Sequence, residues 1–98
     1  MDEKIERIKA FLFEMNSRFS TLKFRCGYGS SNRTFIIEVT PLSEFDTNEE
    51  YAKEEFNFAT HFDLDYLDYD IIFVSEDGAC KVENVLFEIG YDSPMGGK

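Results

Sequence analysis

Asp63, Asp65, Asp68 and Asp70 place four carboxylates within eight residues, a density that suits a hard cation such as Ca²⁺. The spacing departs from a calcium loop, because no Gly stands at the sixth position counted from any of these Asp residues. Leu64, Tyr66, Leu67 and Tyr69 between them are what a half-buried amphipathic segment needs. The cluster therefore reads as a solvated acidic rim, and no metal ligand set is assigned. His61 is the only histidine, which excludes a paired-His relay or a His-rich zinc site within one chain. Cys26 and Cys80 form no Cys-x-x-Cys pair and lie in apolar patterns, where burial raises a thiol pKa. They are expected to be reduced, packed thiols. Gly27-Tyr28-Gly29-Ser30-Ser31-Asn32 has neither the third Gly of a dinucleotide loop nor the Gly-Lys-Ser/Thr ending of a phosphate loop. With no catalytic constellation in view, the chain is expected to be a non-enzyme without a cofactor.

The elements that must position these groups follow from periodicity. Ile5, Ile8, Phe11, Leu12, Met15 and Phe19 fall on one arc of a helical wheel, with Asp2 and Glu3 at its start and Arg18 near its end, as the helix dipole favours. Phe13 points off that arc and is expected to pack in a second layer. From Leu22 the period changes to two, through Phe24, Cys26 and Tyr28, and again through Phe35, Ile37 and Val39, with a Gly-Ser-Ser-Asn turn between. This is a hairpin whose polar face carries Lys23, Arg25, Arg33 and Glu38.

Thr47 and Glu50 form a capping box for a second helix, whose apolar face holds Tyr51, Ala52, Phe56, Phe58, Ala59 and Phe62. Glu55 falls inside that apolar arc. Ile71-Ile72-Phe73-Val74 reads as a central strand covered on both sides. Glu76-Asp77-Gly78 reads as a tight turn into a last strand from about Cys80 to Ile89, bulged near Glu83-Asn84. The fold expected is α+β, in the order α-β-β-α-β-β, with a four-stranded, mostly antiparallel sheet and both helices on one face. Residues 1–92 are expected to make one domain and residues 93–98, with Pro and two Gly, a flexible tail.

Twenty acids against ten Lys and Arg give a net charge of −10. The charge is unevenly placed: residues 1–43 carry seven Lys or Arg against five acids, whereas residues 44–70 carry ten acids against Lys53 alone. A surface of that sign repels phosphate backbones and anionic membranes and attracts basic proteins. The Met-Asp-Glu-Lys start has the wrong charge pattern for a secretory signal, and no apolar run is long enough to span a bilayer, so a cytoplasmic location is expected.

Three strings, Phe35-Ile36-Ile37-Glu38-Val39-Thr40-Pro41, Asn48-Glu49-Glu50-Tyr51 and Ile72-Phe73-Val74-Ser75-Glu76-Asp77, give the central half of the chain its character. In these it resembles a loosely defined group of small uncharacterised bacterial α+β proteins. That resemblance implies a standalone bacterial protein of the kind encoded near toxin or mobile-element loci, and it carries across no active-site residue.

These features point to a small non-enzymatic acidic interaction protein, an adaptor, inhibitor or immunity-like protein, that docks a basic partner through residues 44–70. The surface expected to do so comprises Glu49, Glu50, Glu54, Asp63, Asp65, Tyr66, Asp68, Tyr69 and Asp70, with Tyr51, Tyr66 and Tyr69 as aromatic anchors in a charged rim. Competing expectations are a nucleic-acid mimic and a small-molecule- or metal-binding domain with a pocket using Tyr28, His61 or Glu55. Homodimerisation through a free strand edge is a further route to burial.

Overall fold

The computed structural model describes residues 2–76 and 82–91. The first helix, α1, runs from Glu3 to Arg18, started by the Asp2 carboxylate, which accepts a hydrogen bond from the Lys4 amide at 2.9 Å. Ile8, Leu12 and Met15 are buried beneath it, with Ile5, Phe11 and Phe19 packed at the margins, as the periodicity predicts. Phe13 is instead 61% exposed, because no second layer covers its side of the helix.

The strands β1 (Lys23–Tyr28) and β2 (Thr34–Thr40) form the predicted antiparallel hairpin, with Phe24 opposite Val39 and Cys26 opposite Ile37. Alternate residues of both strands are buried under the helices, so the period-two pattern was a faithful signal. Between β2 and the next strand lie two helices where one was expected, α2 (Leu42–Thr47) and α3 (Glu49–Asp65). Thr47 closes the first by donating to the Ser43 carbonyl at 2.6 Å, and Asn48 caps the second by accepting from the Tyr51 amide at 2.9 Å. The cap is thus one residue later than the Thr47–Glu50 box predicted, because Thr47 is already part of a helical turn.

This helical crossover returns the chain to the starting end of β2, so β3 (Asp70–Ser75) pairs with β2 in parallel, Phe35 opposite Ile71 and Ile37 opposite Phe73. The last strand, β4 (Asn84–Ile89), pairs antiparallel with β1 at the far side. The sheet is four-stranded and mixed, in the order β3-β2-β1-β4. Two expectations change as a result. β3 and β4 are not a hairpin but opposite edges of the sheet, and β3 is an edge strand, not a central one. The register of β4 shifts where Cys26 faces Phe87 and Gly27 faces Val85, skipping Leu86, not at Glu83-Asn84. Asp77, Gly78, Cys80 and the tail at 93–98 lie outside the described residues.

The core between helices and sheet is aromatic. Phe35 lies at its centre, within 5.9 Å of Phe62, 6.0 Å of Tyr69 and 5.1 Å of Tyr28, measured between ring centroids, while Phe11 stacks on Phe58 at 4.2 Å and joins α1 to α3. On the opposite face of the sheet Arg25 sits between its two cross-strand neighbours, donating to Glu38 at 2.9 Å and to Glu88 at 2.6 Å. Its guanidinium also lies 5.2 Å from the Tyr91 ring.

Candidate functional site

The acidic stretch divides along α3 into two sides with different surroundings. On the side facing α1, Arg18 donates to Glu54 at 2.9 Å and lies 3.6 Å from Glu50, and Arg7 donates to Asp65 at 2.6 Å. Tyr66 donates its hydroxyl to Glu3 at 2.8 Å, and the Lys4 ammonium sits 4.5 Å from the Tyr69 ring. The basic residues of α1 therefore neutralise part of the predicted interaction surface within the molecule. Partly exposed pairs of this kind contribute little stability each, yet they determine which carboxylates face outward uncompensated.

None of the three tyrosines expected as exposed anchors is fully exposed. Tyr51 is wholly buried, with a hydroxyl that finds no hydrogen-bond partner among the described residues, and Tyr66 and Tyr69 are half-buried against Phe62 and Phe35. Tyr66 and Tyr69 pack at the margin of the core that Phe35 and Phe62 fill.

On the other side of α3 lies β3, and between them runs an open groove of about 460 Å³. Ala52, Glu55, Phe56 and Ala59 line it from the helix and Ile71, Ile72 and Phe73 from the strand. Phe56 is 70% exposed and Ile72 39%, although both belong to apolar patterns. Among the described residues no strand pairs with the outer edge of β3. Exposed acids mark one end: Asp63 and Asp70 lie close enough that Asp63 is held above the usual carboxylate range, first by partial burial and then by Asp70. Glu49, Asp63, Asp68 and Asp70 have no cationic partner among the described residues.

Glu55 is the one charged group lining the groove, half-buried and without a hydrogen-bond or ion-pair partner among the described residues. Burial pushes its carboxyl from the ordinary 4.5 up to about 7. Between those values the folded protein binds more protons than the unfolded chain, so stability falls as pH rises through that window. The penalty is absent below the lower value and complete above the upper one. Discounted for partial exposure, Glu55→Gln is expected to stabilise the fold by about 2 kcal/mol near pH 8 and by almost nothing near pH 4. Urea denaturation of both proteins across that range measures the difference; a gap that does not change with pH contradicts it.

Other groups are less well placed. Among the described residues no three His, Cys, Asp or Glu side chains are arranged to hold a metal ion, and the helix points Asp65 toward Arg7 while Asp63 lies beside Asp70. Cys26 is buried and its thiol is pushed up to about 12, which makes it a poor nucleophile. His61 is exposed and donates from Nδ1 to the Asn57 carbonyl at 2.8 Å. Neither Tyr28 nor His61 joins Glu55 at the groove. A second cavity, of about 580 Å³, opens on the other sheet face beside Lys23, Arg25, Glu38, Thr40 and Tyr91. There Arg25 is already held by Glu38 and Glu88, which leaves no cationic excess for an anion to recognise.

Sequence reasoning favoured the acidic rim and held a pocket at Glu55 only as a competing expectation, grouped with Tyr28 and His61, which do not line the groove. The presence of Glu55 in an apolar arc was its one visible sign, and the exposure of Ile72 depended on β3 lying at an edge. No helix among the described residues is long and apolar enough to cross a membrane. No family model, curated protein or solved structure matches this chain.

Proposed function

We propose that this chain is a non-enzymatic interaction protein, of the adaptor, inhibitor or immunity type, that docks a basic partner protein on the α3–β3 side. The observation that carries this is an edge strand with the apolar sequence of a central one, Ile71-Ile72-Phe73-Val74, flanked by an exposed Phe56 and by unpaired carboxylates. Apolar groups within a charged rim suit specific association, and an acidic rim accelerates encounter with a cationic surface. The aromatic anchor is Phe56, in place of the buried or half-buried tyrosines.

A photo-crosslinker at position 56, compared with one at the equally exposed Phe13 on α1, tests the choice of surface. Capture is expected from position 56 only. The captured protein is then purified and its affinity measured by calorimetry, where Ile72→Arg and the pair Asp63→Asn with Asp70→Asn are each expected to weaken binding about tenfold. Raising the salt concentration is expected to weaken binding further. A purified partner that binds all these variants as it binds the wild type removes this surface from consideration.

A further inference from the structure

We infer that the partner's docking segment is an extended strand that adds to the outer edge of β3 along residues 70–74 and lays a lysine or arginine side chain in the groove against Glu55. This rests on the docking surface proposed above and specifies its occupant. Three independent features converge on it.

The first is the backbone. The outer edge of β3 pairs with no strand among the described residues, and a row of unpaired N–H and C=O groups is a template for another strand. The second is the shape and chemistry of the groove beside that edge. Its walls, Ala52, Phe56 and Ala59 on α3 and Ile71 and Phe73 on the helix-facing side of β3, are apolar and can cover the methylene stem of a long basic side chain. The third is the charge at its floor. Among the described residues Glu55 is a half-buried carboxylate without a partner of its own, and its charge reaches the buried Tyr51 hydroxyl, which has no hydrogen-bond partner among them either. A carboxylate in apolar surroundings is costly alone and is stabilised by a cation delivered on an apolar stem.

Charge also decides against a second copy of this chain as the occupant. A symmetric pairing of two β3 edges would bring together two surfaces that each carry Glu55, Asp63 and Asp70, with no basic residue in either β3 strand to offset them. With a net charge of −10 on each chain, that contact is repulsive, whereas a basic segment is attracted by every one of these groups.

The test uses a defined probe, the peptide acetyl-Lys-Thr-Val-Lys-Val-Thr-Lys-amide, titrated at constant ionic strength and followed by amide chemical shifts. Perturbations are expected at β3 and at residues 52–59 of α3. Replacing the central lysine by norleucine is expected to weaken binding about tenfold, and Glu55→Gln to do the same to the parent peptide. In the Gln variant the two peptides should bind alike, because the pair that distinguished them is gone. Glu83→Gln removes the same charge from an exposed position just before β4, at the opposite edge of the sheet, and is expected to change affinity by less than about twofold. N-methylation of alternate peptide amides should abolish binding by removing strand hydrogen bonds.

Peptide binding that is equal for Glu55→Gln and Glu83→Gln overturns the role given to Glu55. Binding that survives N-methylation on both alternate sets overturns strand addition. A wild-type protein that is dimeric by light scattering and is dissociated by Ile72→Arg shows the edge occupied by a second copy, which also overturns it. Absence of any perturbation at β3 rejects the inference as a whole, while the crosslinking and calorimetry above decide the docking surface separately. Glu55→Gln relieves a buried charge and is expected to fold at least as stably as the parent, so its loss of binding is not a loss of structure.

Discussion

Phe35→Ala is expected to lower unfolding free energy by about 4 kcal/mol, a large share of the roughly 5 to 15 kcal/mol that holds a domain of this size together. Phe35 is fully buried on β2, an inner strand. Its ring meets Phe62 of α3 edge-on at 5.9 Å, lies near-parallel to Tyr69 at 6.0 Å and packs on Tyr28 of β1 at 5.1 Å. Alanine would leave a cavity bounded by three rigid rings, which collapse poorly around a void. Tyr69 precedes the first residue of β3, so the same change loosens the start of the edge strand and the Asp63–Asp70 end of the groove. Denaturant titration gives the cost, and Phe35→Leu, which keeps much of the volume, is expected to cost about a third as much. A loss below about 1 kcal/mol for the alanine variant would mean that the aromatic cluster is not the centre of the core.

What could be read from the residues was local. The arc from Ile5 to Phe19 and the alternation in β1 and β2 were legible because each element buries one face against a single layer. Which strands become neighbours was not. A four-residue apolar run fits a central strand, and equally an edge strand with a helix packed along one face, so Ile71 to Val74 could not announce their position. That position followed from the extra turn of helix at Leu42–Thr47 and from the parallel return of the chain, both set by contacts distant in sequence.

The site was legible in proportion to how local its causes are. The excess of carboxylates in residues 44–70 is a property of composition and survives intact. Which of them are available is a property of α1, whose Arg7 and Arg18 take up Asp65, Glu50 and Glu54 from more than thirty residues away. The surface left over is smaller than the acidic stretch and has a direction: it faces β3. The segregation of charge along the chain thus pairs α1 with α3 first, and only the remaining acids are left for the docking proposed above.

Gly27→Ala is expected to cost about 3 kcal/mol and to act on the opposite edge of the sheet. A Cβ at Gly27 would fall 2.1 Å from the Asn84 carbonyl oxygen and 2.5 Å from Val82 Cγ1. The first obstacle is backbone, so relief requires β4 to move away from β1 and not merely a side chain to rotate. The close approach occurs beside the skipped Leu86, where the register shift bends β4 over β1. Gly29→Ala is the matched control, because its Cβ would meet only the flexible end of Ile36, at 2.6 Å. Hydrogen exchange is expected to show the β4 amides losing protection in Gly27→Ala while those of β2 and β3 keep theirs, a sub-global opening of one edge. The groove lies beyond β2 on the other side of the sheet. Binding of the basic peptide should therefore persist in this variant at temperatures where it stays folded. If it is lost together with β4, the partner reads both edges, and the binding surface extends across the sheet.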